Sequence, residues 1–512
     1  MKFFILLLSA ISTAYSYKIL CLHAVPSKSH YHLMMGLVKP LVEAGHEITL
    51  VTTFPELKVP KNVKIIDISE NLKVTTHIMN MTMSERTKQS LSLVKSFGRN
   101  ISLSTIKSPA VRHALVNEKF DAVISEWFFS EIDAGYAAVQ RIPWIVLGGM
   151  VMHTHLEFLV DCVRTVPTIP SLKNEDPIPM GFMGRLSNTI GYLFVMAGFW
   201  SDYPTVKSDY ETQFAPLAQS RGVSLPPFSE AMHDISIMFT NSHSSFAPAQ
   251  SLPPNVVEIA GYHIDTKIPP LPKDLQDLLD SSPQGVIYFS MGSVLKSSEL
   301  EDRTKKRLIE MFGELPYTVL WKFEEKIDNL PKNLHIRSWM PQSSILSHQN
   351  VKVFITHGGL LSTLESLQFG VPIIAIPVFG DQPSNALRSV RSGFALRVTY
   401  ATEMADELKV KLDEILNNDS YYKRAKYLSK LFTSRPVSTT KLIQHYVELA
   451  IESGGAHHLR SKTHLYAWYE AWMLDQLALL LITVYVVRRL FIKILSLCKG
   501  QKKEVKEKKK KH

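Results

Sequence analysis

Residues 354–382 read FITHGGLLSTLESLQFGVPIIAIPVFGDQ, and the order of apolar runs and glycine turns in them sets the architecture. The run VKVFIT, 351–356, is apolar and β-branched, which predicts a buried strand ending at Thr356. His357, Gly358 and Gly359 then turn the chain into a helix that Gly370 stops. Two residues without Cβ let a ligand approach their amides, and the free N–H groups of the first helical turn point the same way. Such a turn suits a phosphate or diphosphate, to which His357 can donate a further hydrogen bond. Glu365 stands seven residues past Gly358, on the same helix face two turns on, where a carboxylate can accept from a ribose diol. A second apolar strand, 372–376, leads to Asp381 and Gln382, an acid and an amide matched to the hydroxyls of a sugar. Strand ends along one edge of a parallel sheet form a ligand crevice.

Taken together, these residues resemble the signature of the UDP-glycosyltransferase family, and the form His-Gly-Gly-Leu-Leu-Ser-Thr is similar to that of its arthropod members. Leu361 stands where vertebrate and plant members usually have Asn, so no polar role of that residue carries over. The resemblance implies an α/β fold of two Rossmann-like, doubly wound domains facing a cleft, the GT-B arrangement, followed by a C-terminal transmembrane helix. It implies inverting transfer of a hexose, glucose in arthropod-type relatives, from a UDP-sugar to a hydroxyl of a small lipophilic acceptor, as in detoxification or conjugation. The UDP-sugar is then a co-substrate, with no cofactor. No metal is expected either, since no Asp-x-Asp pair lies near the nucleotide residues.

Further residues come with the resemblance. After the apolar strand 286–290, Gly292 permits a close backbone approach and Ser293 can bond an α-phosphate. Trp339 and Gln342 are implied at the uracil, where an indole stacks on a flat base and an amide matches its donor and acceptor edge. Gln342 precedes His357 by 15 residues, as in relatives. The implied UDP-sugar set is Gly292, Ser293, Trp339, Gln342, His357, Gly358, Gly359, Ser362, Glu365, Asp381 and Gln382.

A chain of 512 residues exceeds one ordinary core, and two domains of about 200 residues are its natural division. With 45% hydrophobic and 20% charged residues it has a globular composition. Its net charge of +10 is a local feature: residues 488–512 hold 11 Lys and Arg against 2 Glu. The remainder is near neutral, which excludes a basic stripe for nucleic acid. Three cysteines, Cys21, Cys162 and Cys498, make neither a disulfide framework nor a zinc site.

The first half opens as a βαβ unit: strand 17–24, a helix to about Ala44, and strand 47–52. Its first turn, VPSKSHYH, has no glycine, so a dinucleotide fingerprint is absent and a nicotinamide dehydrogenase is a remote reading. His30 lies there instead, at the carboxyl edge, with a pKa suited to a general base; His32 is the alternative. The family spacing of 16 residues to the His of Gly-His-Glu points to His30, through His46. A base needs an orienting carboxylate, and Glu126 ends the apolar run FDAVIS, 120–125, where relatives commonly have Asp. Glu131 and Asp133 are the other candidates. Residues 150–230 break the βα rhythm; His153, His155, Phe158, Phe199, Trp200 and Tyr203, among scattered prolines, suggest an acceptor pocket or a helical cover.

The expected division is a signal peptide at 1–16, an acceptor domain at 17–265, a proline-marked linker at 266–284 and a UDP-sugar domain with a cross-back helix at 285–453. A juxtamembrane segment, 454–471, a transmembrane helix, 472–490, and a basic tail, 491–512, follow. Lys509 and Lys510 resemble a dilysine retrieval signal, and sequons stand at Asn80, Asn100 and Asn418. The expected protein sits in the endoplasmic-reticulum membrane with its body lumenal and its tail cytoplasmic. A homo-oligomer is compatible with this reading, as is a catalytically weak, membrane-tethered binding protein of the same fold.

Overall fold

The computed structural model describes residues 16–75, 91–171, 178–265 and 267–508. Residues 1–15 of the expected leader, Asn80, Lys509 and Lys510 therefore lie outside the described residues. Seven parallel strands form the first sheet: β1 (Lys18–His23), β2 (Glu47–Thr52), β3 (Val63–Asp67), β4 (Ala122–Trp127), β5 (Trp144–Gly148), β6 (Ile235–Thr240) and β7 (Val256–Glu258). Their order is β3-β2-β1-β4-β5-β6-β7. Six more form the second: β8 (Val286–Ser290), β9 (Thr318–Lys322), β10 (Leu334–Arg337), β11 (Val351–Thr356), β12 (Ile373–Ala375) and β13 (Ala395–Arg397), ordered β10-β9-β8-β11-β12-β13. Both are doubly wound Rossmann-like sheets. The strand order reverses between β1 and β4 in one and between β8 and β11 in the other, and crevices open at such reversals.

Burial on both faces explains why the strands are nearly unbroken apolar runs rather than alternating ones. Every residue of β4, β5, β6 and β8 is buried. Helix α1 (Lys28–Glu43) lays Leu33, Leu37, Val38 and Leu41 on one face of the first sheet. Helix α2 (Phe182–Arg221) lies on the other side and places Tyr210 and Phe214 in that core. Its 40 residues include Pro204 and Pro216, so two of the scattered prolines of 150–230 are carried inside one long helix. In the second half, α3 (Leu360–Phe369) and α4 (Gln382–Arg391) follow β11 and β12. Helix α5 (Thr439–Glu452) returns to the first domain: Ile443, Val447 and Ala450 join the core under α1, and Gln444 donates to the Pro40 carbonyl at 2.8 Å.

Residues 461–508 form a separate unit. Its main element is α6 (Leu474–Lys508), along which Leu479, Ile482, Tyr485 and Phe491 are exposed. The expected transmembrane helix at 472–490 is corrected here: among the described residues no helix is long and apolar enough to cross a membrane. The apolar stretch inside α6 is confined between Asp475 and the pair Arg488, Arg489, and Lys493 follows one turn later.

Candidate functional site

The first sheet brings His30 and Glu126 together. His30 lies in the first turn of α1, beyond the end of β1, and Glu126 is the fifth residue of β4, one strand across the reversal. His30 Nδ1 and Glu126 Oε1 are 2.5 Å apart, with Glu126 almost fully buried and His30 a quarter exposed. Glu126 stands within the strand rather than after it, and the absence of a Cβ at Gly149 makes room for its longer side chain. A Cβ there would sit 2.8 Å from Glu126 Oε1. The alternatives point elsewhere: Glu131 accepts from Trp127 Nε1 at 3.2 Å, and Asp133 bonds Ser102, its carboxyl pushed up to about 7 by burial. His32 is exposed.

Burial alone would lower the His30 pKa, but the charge and hydrogen bond of Glu126 and the charge of Asp381 outweigh it and hold the imidazolium above the ordinary histidine value. The same interaction marks Asp381, at the head of α4, as a neighbour of His30 across the two sheets. With Nδ1 engaged, His30 Nε2 is the nitrogen left to take a proton.

The second sheet assembles the remaining residues along its carboxyl edge. Gly358 has φ +78°, a left-handed turn open to glycine, and Gly359 is the N-cap of α3 without any side-chain cap. The His357 ring fills the space above two glycines: a Cβ on Gly359 would lie 2.4 Å from its Nε2, and one on Gly292 2.6 Å from its Cε1. Burial, and secondarily the positive charge of Lys322, drive the His357 pKa down to about 4, so the ring is neutral near pH 7. Ser293 is exposed on the loop after β8, and the Trp339 indole presents more than half its surface to solvent.

Gln342, Ser362 and Glu365 form one network. Gln342 Nε2 donates to Ser362 Oγ at 3.0 Å and to Glu365 Oε2, and Ser343 Oγ donates to Glu365 Oε1 at 2.6 Å. Gln382 has a structural duty that its sequence position did not reveal. Its Oε1 accepts from the amides of Val378 at 2.8 Å and Phe379 at 3.1 Å, shaping the loop that presents Asp381.

Lys322 is the residue that sequence reasoning missed. It is buried, and its Nζ donates to the Gly292 carbonyl and to Glu324, both at 2.8 Å. It also lies 6.0 Å from the Trp339 ring. The signal was positional: β9 runs one residue past Trp321, and that residue falls on the edge that carries the other candidates of the second sheet.

Two cavities flank these groups. A cleft runs from Met150, beside Gly149, to Asp381 and along α4. A second, smaller one lies under α2 between Phe129, Phe199 and Tyr203. The expected acceptor residues thus separate: His153 lines the first cavity, Phe199 and Tyr203 the second, while Trp200 is exposed. His155 and Phe158 pack on Phe199 at 4.9 and 5.0 Å. Among the described residues no three His, Cys, Asp or Glu gather as for a metal ion.

Comparison with known proteins gives a consistent result. A family model described as UDP-glucoronosyl and UDP-glucosyl transferase matches residues 18–511. UDP-glucosyltransferase 2 of Dactylopius coccus is 32% identical, over 92% of this chain and 91% of its own length. UDP-glucuronosyltransferase 2B9 of Macaca fascicularis is 27% identical, over 92% of this chain and 91% of its own. Among solved structures, the calicheamicin glycosyltransferase CalG4 superposes with a TM-score of 0.57 at 17% identity, covering 85% of this chain and 98% of that one. Glycosyltransferase VinC in complex with DTDP gives 0.56 at 15% identity, covering 85% and 100%.

Proposed function

Since the chain belongs to the UDP-glucoronosyl and UDP-glucosyl transferase family, we propose how its residues divide the work of moving a sugar from a UDP-sugar, and to what. The donor sugar is a hexose, glucose being favoured by the likeness to the Dactylopius UDP-glucosyltransferase. The acceptor is a small lipophilic molecule whose hydroxyl enters the cleft between Met150 and Asp381. The observation that carries this reading is the 2.5 Å contact of His30 with Glu126 at a strand-order reversal, within electrostatic reach of Asp381.

His30 Nε2 takes the acceptor proton, while the acceptor oxygen attacks the anomeric carbon from the face opposite UDP. The bond from that carbon to the diphosphate oxygen breaks, and UDP leaves with the electron pair, so configuration inverts. Glu126 holds the imidazole in its tautomer and stabilises the imidazolium. The uncapped first turn of α3, His357 and Ser293 face the charge that develops on UDP. Trp339 offers a stacking face to uracil, Gln342 and Glu365 read base and ribose, and Asp381 and Gln382 meet the hexose.

The body works in the lumen of the endoplasmic reticulum, held at the membrane surface. The exposed apolar side chains of α6 and the arginines beside them fit an interfacial helix. Microsomes bearing the full chain are expected to sediment with it and to transfer hexose to phenolic acceptors from a panel of UDP-sugars. UDP-sugar binding without any transfer, or recovery of the protein in the soluble fraction, would overturn the corresponding part.

A further inference from the structure

The cleft that leads to the reacting centre carries a cation that has no carboxylate within 4.0 Å among the described residues, the charge of Asp381 acting on it from farther off. Three arginines line it. Arg164 is already paired with a carboxylate, Nη1 donating to both Glu157 oxygens within 2.9 Å and Nη2 to the carbonyls of Ile169 and Pro170. Arg391 is exposed on the last turn of α4. Arg388 differs from both. It sits two turns along α4 from Asp381, its guanidinium carbon 5.2 Å from the centre of the Phe246 ring. Among the described residues its one hydrogen bond runs from Nη1 to Asn385 Oδ1 at 3.3 Å, and none of them brings a carboxylate oxygen within 4.0 Å, so within that set most of its five donors are unmatched.

Resting on the reading of this cleft as the acceptor site, we propose that Arg388 selects acceptors that bear a carboxylate at the end remote from the hydroxyl to be glycosylated, such as hydroxylated aromatic acids. A planar guanidinium presents the fork that binds a carboxylate bidentately, and the buried Phe246 ring beneath it supports that plane. Burial pushes the Arg388 pKa down to about 10, which leaves it charged at neutral pH but poorly solvated, the state in which a carboxylate gains most by binding. The position favours the acceptor over a uronic-acid donor as the source of that group. Arg388 lies two turns farther along α4 than Asp381 and shares the cleft with wall residues such as Met150 and Phe246 from the first domain, whereas Gly358 and Gly359 do not line it.

The test compares 7-hydroxycoumarin with 7-hydroxycoumarin-3-carboxylate as acceptors, each with UDP-glucose and UDP-glucuronate, in the wild type and in Arg388→Met and Arg388→Lys. In the wild type the acid is expected to have the lower KM. In Arg388→Met the ratio of KM for the acid to that for the neutral acceptor should rise about ten- to a hundredfold, with Arg388→Lys between the two. A second measurement needs no variant: coumarin-3-carboxylate, which lacks the hydroxyl, should inhibit competitively against the acceptor and not against the UDP-sugar. An unchanged KM ratio, a loss that follows the glucuronate donor instead of the acid acceptor, or inhibition competitive with the UDP-sugar would each overturn the proposal. A wild type that transfers to neither coumarin would instead refute the broader reading of the acceptor.

Discussion

His30 and His357 occupy related places in two sheets of the same winding. Each follows one of the two strands that flank a reversal of strand order, yet their surroundings drive them in opposite directions. Both are desolvated, which disfavours the cation. His30 has the Glu126 carboxylate at 2.5 Å and Asp381 beyond it, and its affinity for a proton rises. His357 has Lys322, and its pKa falls to about 4. One histidine is thus built to accept a proton and hold it, the other to stay neutral and act as a hydrogen-bond group. The fold supplies the position and the burial; a carboxylate on the neighbouring strand reverses the effect of burial at His30, and a lysine two strands away adds to it at His357.

The largest expected effect separates the two. His30→Ala should lower kcat about 10²- to 10⁴-fold, the usual contribution of a general base, with UDP affinity unchanged in calorimetric titration. His357→Ala should weaken UDP binding as well as turnover, since its group meets the leaving nucleotide. Should His30→Ala retain kcat, or should both variants lose UDP affinity equally, the division of labour fails.

A smaller effect tests the cause of the difference. His30 must be neutral to act, so the rate should rise with pH through a value above the ordinary histidine range. Glu126→Gln leaves burial as the largest influence, so the acid limb should move to lower pH while the maximal rate falls about ten- to a hundredfold. A limb that stays in place would show that Glu126 does not set the proton affinity. Stability follows the same sign. The raised His30 pKa stabilises the fold below the unfolded value near 6.5, and this is lost as pH rises through the folded value. His357 works the other way: its neutral, buried form costs stability as pH falls from about 6.5 towards 4.

The two halves also differ in how much of them the sequence discloses. In the second, the turn at Gly358 and the residues around it are dictated by backbone geometry, because a left-handed φ and close approach to His357 require glycine. Local constraints of that kind are visible in a linear stretch. In the first, Glu126 reads as one methylene too long until Gly149, 23 residues away, is seen to make room for it. The region 150–230 reads as irregular because helix propensity is a local rule and prolines lower it, whereas α2 is held by Tyr210 and Phe214 packing into a distant core. The transmembrane reading failed for a related reason. An aromatic belt and flanking arginines mark a membrane interface equally well for a helix that lies in it, and only the length of the uncharged run separates the two.

Lys322 gives the smallest and most discriminating test. It influences His357 through charge alone and is fixed by the Gly292 carbonyl and Glu324 rather than by the histidine. Lys322→Met removes the charge and keeps much of the apolar stem, so His357 should titrate above its present value of about 4. Burial, the larger influence, keeps it below the ordinary 6.5. UDP affinity should fall about three- to tenfold, as suits the loss of one cation near a diphosphate. The acid loss of stability assigned to His357 should shrink, because its folded and unfolded proton affinities draw together. An NMR titration of the His357 ring in both proteins reads the first effect directly. No movement of that resonance would mean that burial alone keeps the second histidine neutral, and the contrast with His30 would then lie in solvation rather than in the choice of neighbouring charge.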